Sequence, residues 1–77
     1  MDLKNLNFKI ITKKTYIDFF RIFGELISNG LDVIDALDLL ENKKKMSELP
    51  LRKLKEKYKR GNKFHIALRD LNFPENF

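Results

Sequence analysis

YIDFFRIFGELISNGLDVIDALDLL, residues 16–40, reads as two helices joined at a glycine. Tyr16, Phe19, Phe20, Phe23, Leu26 and Ile27 recur at helical spacing and form one wide apolar face. Asn29-Gly30 ends that helix, because glycine enters the left-handed region after a helix cap without steric penalty. Leu31 can then fold back on Leu26. Asp32 is expected to cap the next helix, with Asp35 three residues on, and both carboxylates favour the positive end of the helix dipole. Val33, Ile34, Ala36, Leu37 and Leu40 are its expected buried face. So short a connection makes the pair a hairpin or a sharp corner.

Upstream, residues 1–14 lack a sustained helical period and are expected to be a tail or linker, with Phe8-Lys9-Ile10-Ile11 at most a short extended piece docking on the core. Thr15 and Asp18 read as a variant capping box opening the first helix. Gly24, inside that helix, is unfavourable by about 1 kcal/mol relative to alanine, and close approach of another helix is the expected compensation. Downstream, Glu41 to Glu48 reads as a polar connector. Ser47 is the expected cap of a third helix, with Pro50 in its first turn and Leu51, Leu54 and Tyr58 as a narrow apolar seam. Gly61 stops it, Asn62 is the expected cap of a fourth, and Phe64, Ala67, Leu68 and Leu71 line that helix until Phe73-Pro74 ends it. Glycine followed by an Ala-Leu helix thus occurs twice. The expected fold is all-α: about four helices, near 16–29, 33–43, 48–60 and 63–71, built from two helix–glycine–helix corners at Gly30 and Gly61. The expected core is Phe19, Phe23, Leu26, Ile34, Leu37, Leu40, Leu54, Phe64, Ala67 and Leu68.

Seventy-seven residues suffice for one domain with a thin core. Cysteine is absent, so disulfides and thiolate metal sites play no part. No run approaches the ~18 apolar residues of a membrane-spanning helix. The net charge of +5 is uneven: residues 1–40 hold five basic and six acidic groups, residues 41–77 eleven basic and five acidic. The basic excess suits nucleic acid, anionic lipid or an acidic protein, or is simply a solvated helix face.

Catalytic chemistry finds no foothold. His65 is the one histidine, lies off the apolar stripe, and has no cysteine or second histidine to share a zinc ion. Asp32, Asp35 and Asp38 lie three apart, which ordinary capping and solvation explain better than a hard cation does. Ser28 and Ser47 lack an adjacent base. Gly24, Gly30 and Gly61 are isolated, so no phosphate loop exists. No catalytic residue, cofactor or metal ligand is assigned, and the chain is not expected to be an enzyme.

Phe19-Phe20-Arg21-Ile22-Phe23, then Leu26-Ile27-Ser28-Asn29-Gly30-Leu31, then Val33-Ile34-Asp35-Ala36-Leu37-Asp38-Leu39-Leu40 resembles the F domain of type II secretion platform proteins. These are inner-membrane proteins of secretion, type IV pilus and competence-pilus machines. A second family block is matched by Gly61, Phe64, Ala67, Leu68 and Phe73-Pro74, so the resemblance spans roughly residues 15–77. The chain departs from the family at Ile22, Gly24, Asp32 and Lys63; the last replaces a capping serine and moves the cap to Asn62. The resemblance implies a helical cytoplasmic domain over 15–77, a piece of a longer membrane protein or a shortened relative, since the family domain continues past the position of Phe77. It implies a non-enzymatic role in protein transport, linking an assembly ATPase to the platform at the cytoplasmic face of the bacterial inner membrane, with this piece itself soluble. The implied partners are that ATPase and other platform proteins. Lys53, Lys57, Arg60, Phe73 and Phe77 are the candidate interaction surface, and uncovered aromatics there or on helix one favour a homodimer. The alternative is a small basic helical nucleic-acid-binding module, without expected base specificity because arginine is scarce among the lysines; a third reading is a structural dimerisation domain.

Overall fold

The computed structural model describes residues 11–74. They form an all-α bundle of four helices: α1, Lys13–Ser28; α2, Val33–Glu41; α3, Leu51–Lys59; and α4, Phe64–Asp70, with a short 3₁₀ turn at Lys44–Met46 between α2 and α3. Successive helices pack on one another, α1 on α2, α2 on α3 and α3 on α4. The backbones of α1 and α4 do not come close, and aromatic rings bridge them: Phe23 stacks on Phe64 at 5.0 Å, and Tyr16 meets Phe73 edge-on at 5.5 Å.

The same C-terminal device ends α1, α3 and α4. After α1, Gly30 N–H donates to the Ile27 carbonyl and Leu31 N–H to that of Leu26. After α3, Gly61 donates to Tyr58 and Asn62 to Lys57; after α4, Asn72 donates to Arg69 and Phe73 to Leu68. This is the Schellman pattern, which satisfies carbonyls a helix end would otherwise strand. It needs a left-handed residue, and Gly30 and Gly61 both have φ of +99° while Asn72 has +65°. Helix α4 therefore stops at Asn72, and Pro74 follows the stop rather than making it. An alanine Cβ at Gly30 or Gly61 would meet nothing within 4 Å, so only the backbone resists substitution. Gly30→Ala and Gly61→Ala should each cost about 1 kcal/mol. Gly24→Ala should instead gain about 1 kcal/mol, since Gly24 is helical and equally uncrowded. Thermal melts at low protein concentration check all three, and neutral substitutions at positions 30 and 61 would refute the backbone account.

The helix starts differ from three sequence expectations. The α1 cap is Thr12, not Thr15: its hydroxyl accepts the Thr15 N–H at 3.3 Å, and the helix gains most of a turn. Asp18, freed from capping, accepts a hydrogen bond from Lys14 at 3.1 Å. Ser47 caps nothing; it closes the 3₁₀ turn, and α3 begins at Leu51 directly after Pro50. Asn62 is not the α4 cap, a place Lys63 takes without a side-chain bond; the Asn62 amide instead donates to the Lys57 carbonyl at 3.0 Å. Asp32 does cap α2, accepting the Asp35 N–H at 2.9 Å.

The fully enclosed core is Phe19, Ala36, Leu37, Leu40, Met46, Leu49, Leu51, Leu54, Ala67 and Phe73. Phe23, Leu26, Phe64 and Leu68 are half-buried against it. Ile34 is half-exposed and stands apart from that cluster, because α2 turns Ala36, Leu37 and Leu40 inward and leaves Ile34 near their edge. The connector is not wholly polar. Its 3₁₀ turn folds Met46 inward, and Leu49 follows, so the loop closes one end of the core. The tail proposed for Phe8-Lys9-Ile10 lies outside the described residues; Ile11 is half-buried against the core.

Candidate functional site

The basic half of the chain is partly neutralised by folding. Lys55 on α3 reaches across to α2, where its ammonium lies 2.6 Å from Asp38 and 2.5 Å from Glu41. Arg52 approaches Glu41 at 3.7 Å, and Lys57 approaches Asp70 at 3.8 Å. Hydrogen bonds to Asp38 and then Glu41 raise the Lys55 pKa above its ordinary 10.5. A raised folded-state pKa adds stability that is fully present below the unfolded value and lost as pH rises through the folded value. Lys55→Met should therefore cost about 1 kcal/mol at neutral pH, a modest figure because Asp38 is half exposed and solvent screens that arm. The variant should also lose part of the wild-type fall in melting temperature above pH 10.5. Equal alkaline slopes in the two proteins would refute the bridge.

Among the described residues, Lys43, Lys44, Lys53, Lys59, Arg60 and Lys63 make no ion pair and are exposed. Lys53 and Arg60 lie on the side of α3 turned away from Leu51, Leu54 and Tyr58, while Lys57 sits half-buried toward α4. The proposed trio Lys53, Lys57 and Arg60 is thus two free cations flanking one tied to a carboxylate. Of the other arginines, Arg21 pairs with Asp18 and Glu25, and Arg69 lies 4.0 Å from Asp70.

Phe73 is not a surface residue. It is 4% exposed, with its ring 5.4 Å from Phe19 and 6.2 Å from Phe20. The Asn72 turn reverses the chain and drives the ring beneath α1, which helical spacing alone does not show. Phe77 lies outside the described residues. Next to Phe73, a groove lined by Phe20, His65, Leu68, Arg69 and Pro74 runs between α1 and α4. His65 stands exposed at its rim. Asp32, Asp35 and Asp38 do not converge: Asp32 caps α2, and Asp38 holds Lys55. No group of three or more histidine or carboxylate side chains able to hold a metal ion occurs among the described residues. No helix among them is long and apolar enough to cross a membrane.

The exposed apolar residues lie elsewhere. Ile17 and Ile27 on α1 are 43% and 37% exposed, and Leu39 on α2 is 50% exposed. By angle Ile27 falls within the apolar stripe of α1, between Tyr16 and Phe20, yet in the last turn of the helix it is left partly exposed. Among the described residues nothing approaches the Cβ direction of Gly24, so none of α2, α3 and α4 compensates for the glycine. Set against models of known families, curated proteins and solved structures, the chain matches none.

Proposed function

We propose that this chain is a helical protein-interaction domain of the kind found on the cytoplasmic side of type II secretion and type IV pilus platform proteins, where it would link the assembly ATPase to the membrane platform. One observation carries the reading. The two glycine corners share conformation as well as sequence: Gly30 and Gly61 have the same φ of +99°. Six positions after each stands an alanine that is completely buried, Ala36 and Ala67, followed by a leucine. Alanine there lets the following helix sit close to its neighbour, so the Gly and Ala-Leu blocks behind the resemblance mark two equivalent packing units. The exposed cations Lys53 and Arg60 offer such a domain an electrostatic surface for an acidic partner.

Titration of the full chain with the purified assembly ATPase of its own organism tests the proposal. Saturable binding is expected, weakened severalfold by Lys53→Glu combined with Arg60→Glu. Absence of binding would overturn it. A duplex oligonucleotide should bind weakly, without sequence preference, and lose affinity steeply as salt rises. Sequence-selective binding that survives salt would install the nucleic-acid reading instead.

A further inference from the structure

The groove between α1 and α4 has a volume of about 210 Å³, with Phe20, Leu68, Phe73 and Pro74 as apolar walls and His65 and Arg69 along one rim. A cavity of about 150 Å³ is enough to hold benzene, so one phenyl ring fits this space. Among the described residues no carboxylate lines it. His65 and Arg69 stand one turn apart on the same side of α4. Arg69 is 61% exposed and lies 4.0 Å from Asp70, so its guanidinium keeps donors for a second carboxylate. Phe20 engages a further partner besides Phe19 and Phe73.

The described part of the chain ends at this groove. Pro74 is itself part of the wall, and Glu75, Asn76 and Phe77 come next. Three residues span at most about 11 Å, so Phe77 stays within that reach of Pro74. We propose that Glu75-Asn76-Phe77 is a strap that closes the groove, with the Phe77 ring seated against Phe20 and Leu68 and Glu75 facing Arg69 and His65.

The occupant follows from reach and charge. The segment supplies a carboxylate directly beyond the wall and a ring two residues later, which suit the cationic rim and the apolar floor. A ring on so short a tether has an effective concentration on the order of millimolar, so a shallow seat suffices to hold it. Phe8, the other aromatic outside the described residues, is followed by Lys9, whose charge opposes that of Arg69. A second copy would bring its own net charge of +5 to the same cationic rim. Phe77 thus turns inward as Phe73 does, and the chain covers this groove itself. The strap is independent of the secretion-platform reading.

Nuclear Overhauser contacts in the full chain test the strap directly. The Phe77 ring should show them to the Leu68 methyl groups, unchanged on dilution and absent between labelled and unlabelled chains in a mixed sample. Phe77→Ala should lower the melting temperature by about 4–8 °C. It should also raise binding of an anilinonaphthalenesulfonate dye severalfold while helical circular dichroism is kept. Phe77→Leu should recover part of both effects, and Phe8→Ala should leave dye binding unchanged. Arg69→Glu and Glu75→Arg should each destabilise the chain, and the double swap should be more stable than either. Missing contacts from Phe77 to Leu68, or contacts found only between chains, would overturn the proposal. So would a Phe77→Ala chain melting within about 1 °C of the wild type, dye binding opened by Phe8→Ala instead, or a double swap no better than the single ones.

Discussion

Phe73→Ala should destabilise the domain by about 4 kcal/mol, the largest effect of any single truncation near the chain's described end. For a chain of this size that corresponds to a fall in melting temperature of roughly 15–30 °C. The ring is 4% exposed and meets Tyr16, Phe19 and Phe20 at centroid distances of 5.5, 5.4 and 6.2 Å. It occupies the space that the separated α1 and α4 backbones leave between them. Those helices cannot close over a methyl group, because α1 is held by α2 and α4 by α3. The cavity would therefore persist, and a persistent cavity adds to the lost transfer free energy. Total stability of a small domain is on the order of 5–15 kcal/mol, so much of it would go. Urea unfolding followed by circular dichroism measures the loss. A loss below about 1 kcal/mol would return Phe73 to the surface, as the candidate interaction residue it was expected to be.

Leu37→Ala should cost about 3 kcal/mol, within the range for a leucine removed from a packed interior. Leu37 is completely buried, on the α2 face that lies between α1 and α3. A helix packed on both sides has little freedom to settle into a void. Leu39→Ala supplies the contrast: its side chain is 50% exposed two residues away, and its removal should change stability by less than about 0.5 kcal/mol. The two urea midpoints should therefore differ widely. Similar midpoints would mean α2 presents a different face to the core.

The aromatic cluster also explains why α4, with only seven residues, holds its place. So short a helix is marginal in isolation. Phe64 stacks on Phe23 at 5.0 Å and meets Tyr58 edge-on at 6.1 Å, so one ring fastens α4 to both α1 and α3. Each aromatic pair contributes on the order of 1 kcal/mol beyond the area it buries.

Much of this was legible along the chain. The four helices, the left-handed glycines at 30 and 61, the Asp32 cap and the burial of Phe19, Leu37, Leu40, Leu54 and Ala67 depend on residues within about two turns of one another. Local physics acts over that range: a side-chain oxygen three residues from an amide, a missing Cβ at a turn, an apolar stripe at the helical period. The candidate surface was legible only as a surplus of positive charge. Which cations stay free depends on carboxylates far away in sequence, as Lys55 with Asp38, seventeen residues apart, makes plain.

Local signals also misplaced what they could not see. Thr12 and Thr15 are equally good caps by type; the earlier one is the cap, its hydroxyl accepting the Thr15 N–H, so that Tyr16, which meets Phe73, lies within the first turn rather than at its edge. Met46 and Leu49 sit in a lysine-rich connector, and only the closing of the bundle makes them core. Gly24 reads as a contact point for another helix of the chain, yet the arrangement of α2, α3 and α4 leaves that side of α1 open. The sequence by itself determined where the helices lie and which residue turns each corner, because those are short-range questions of hydrogen bonding and sterics. Tertiary structure alone decided that Phe73 is core, that Lys55 is bound and that Ile17 and Ile27 are left uncovered. Those outcomes depend on which elements meet, a matter of shape and volume summed over the whole chain.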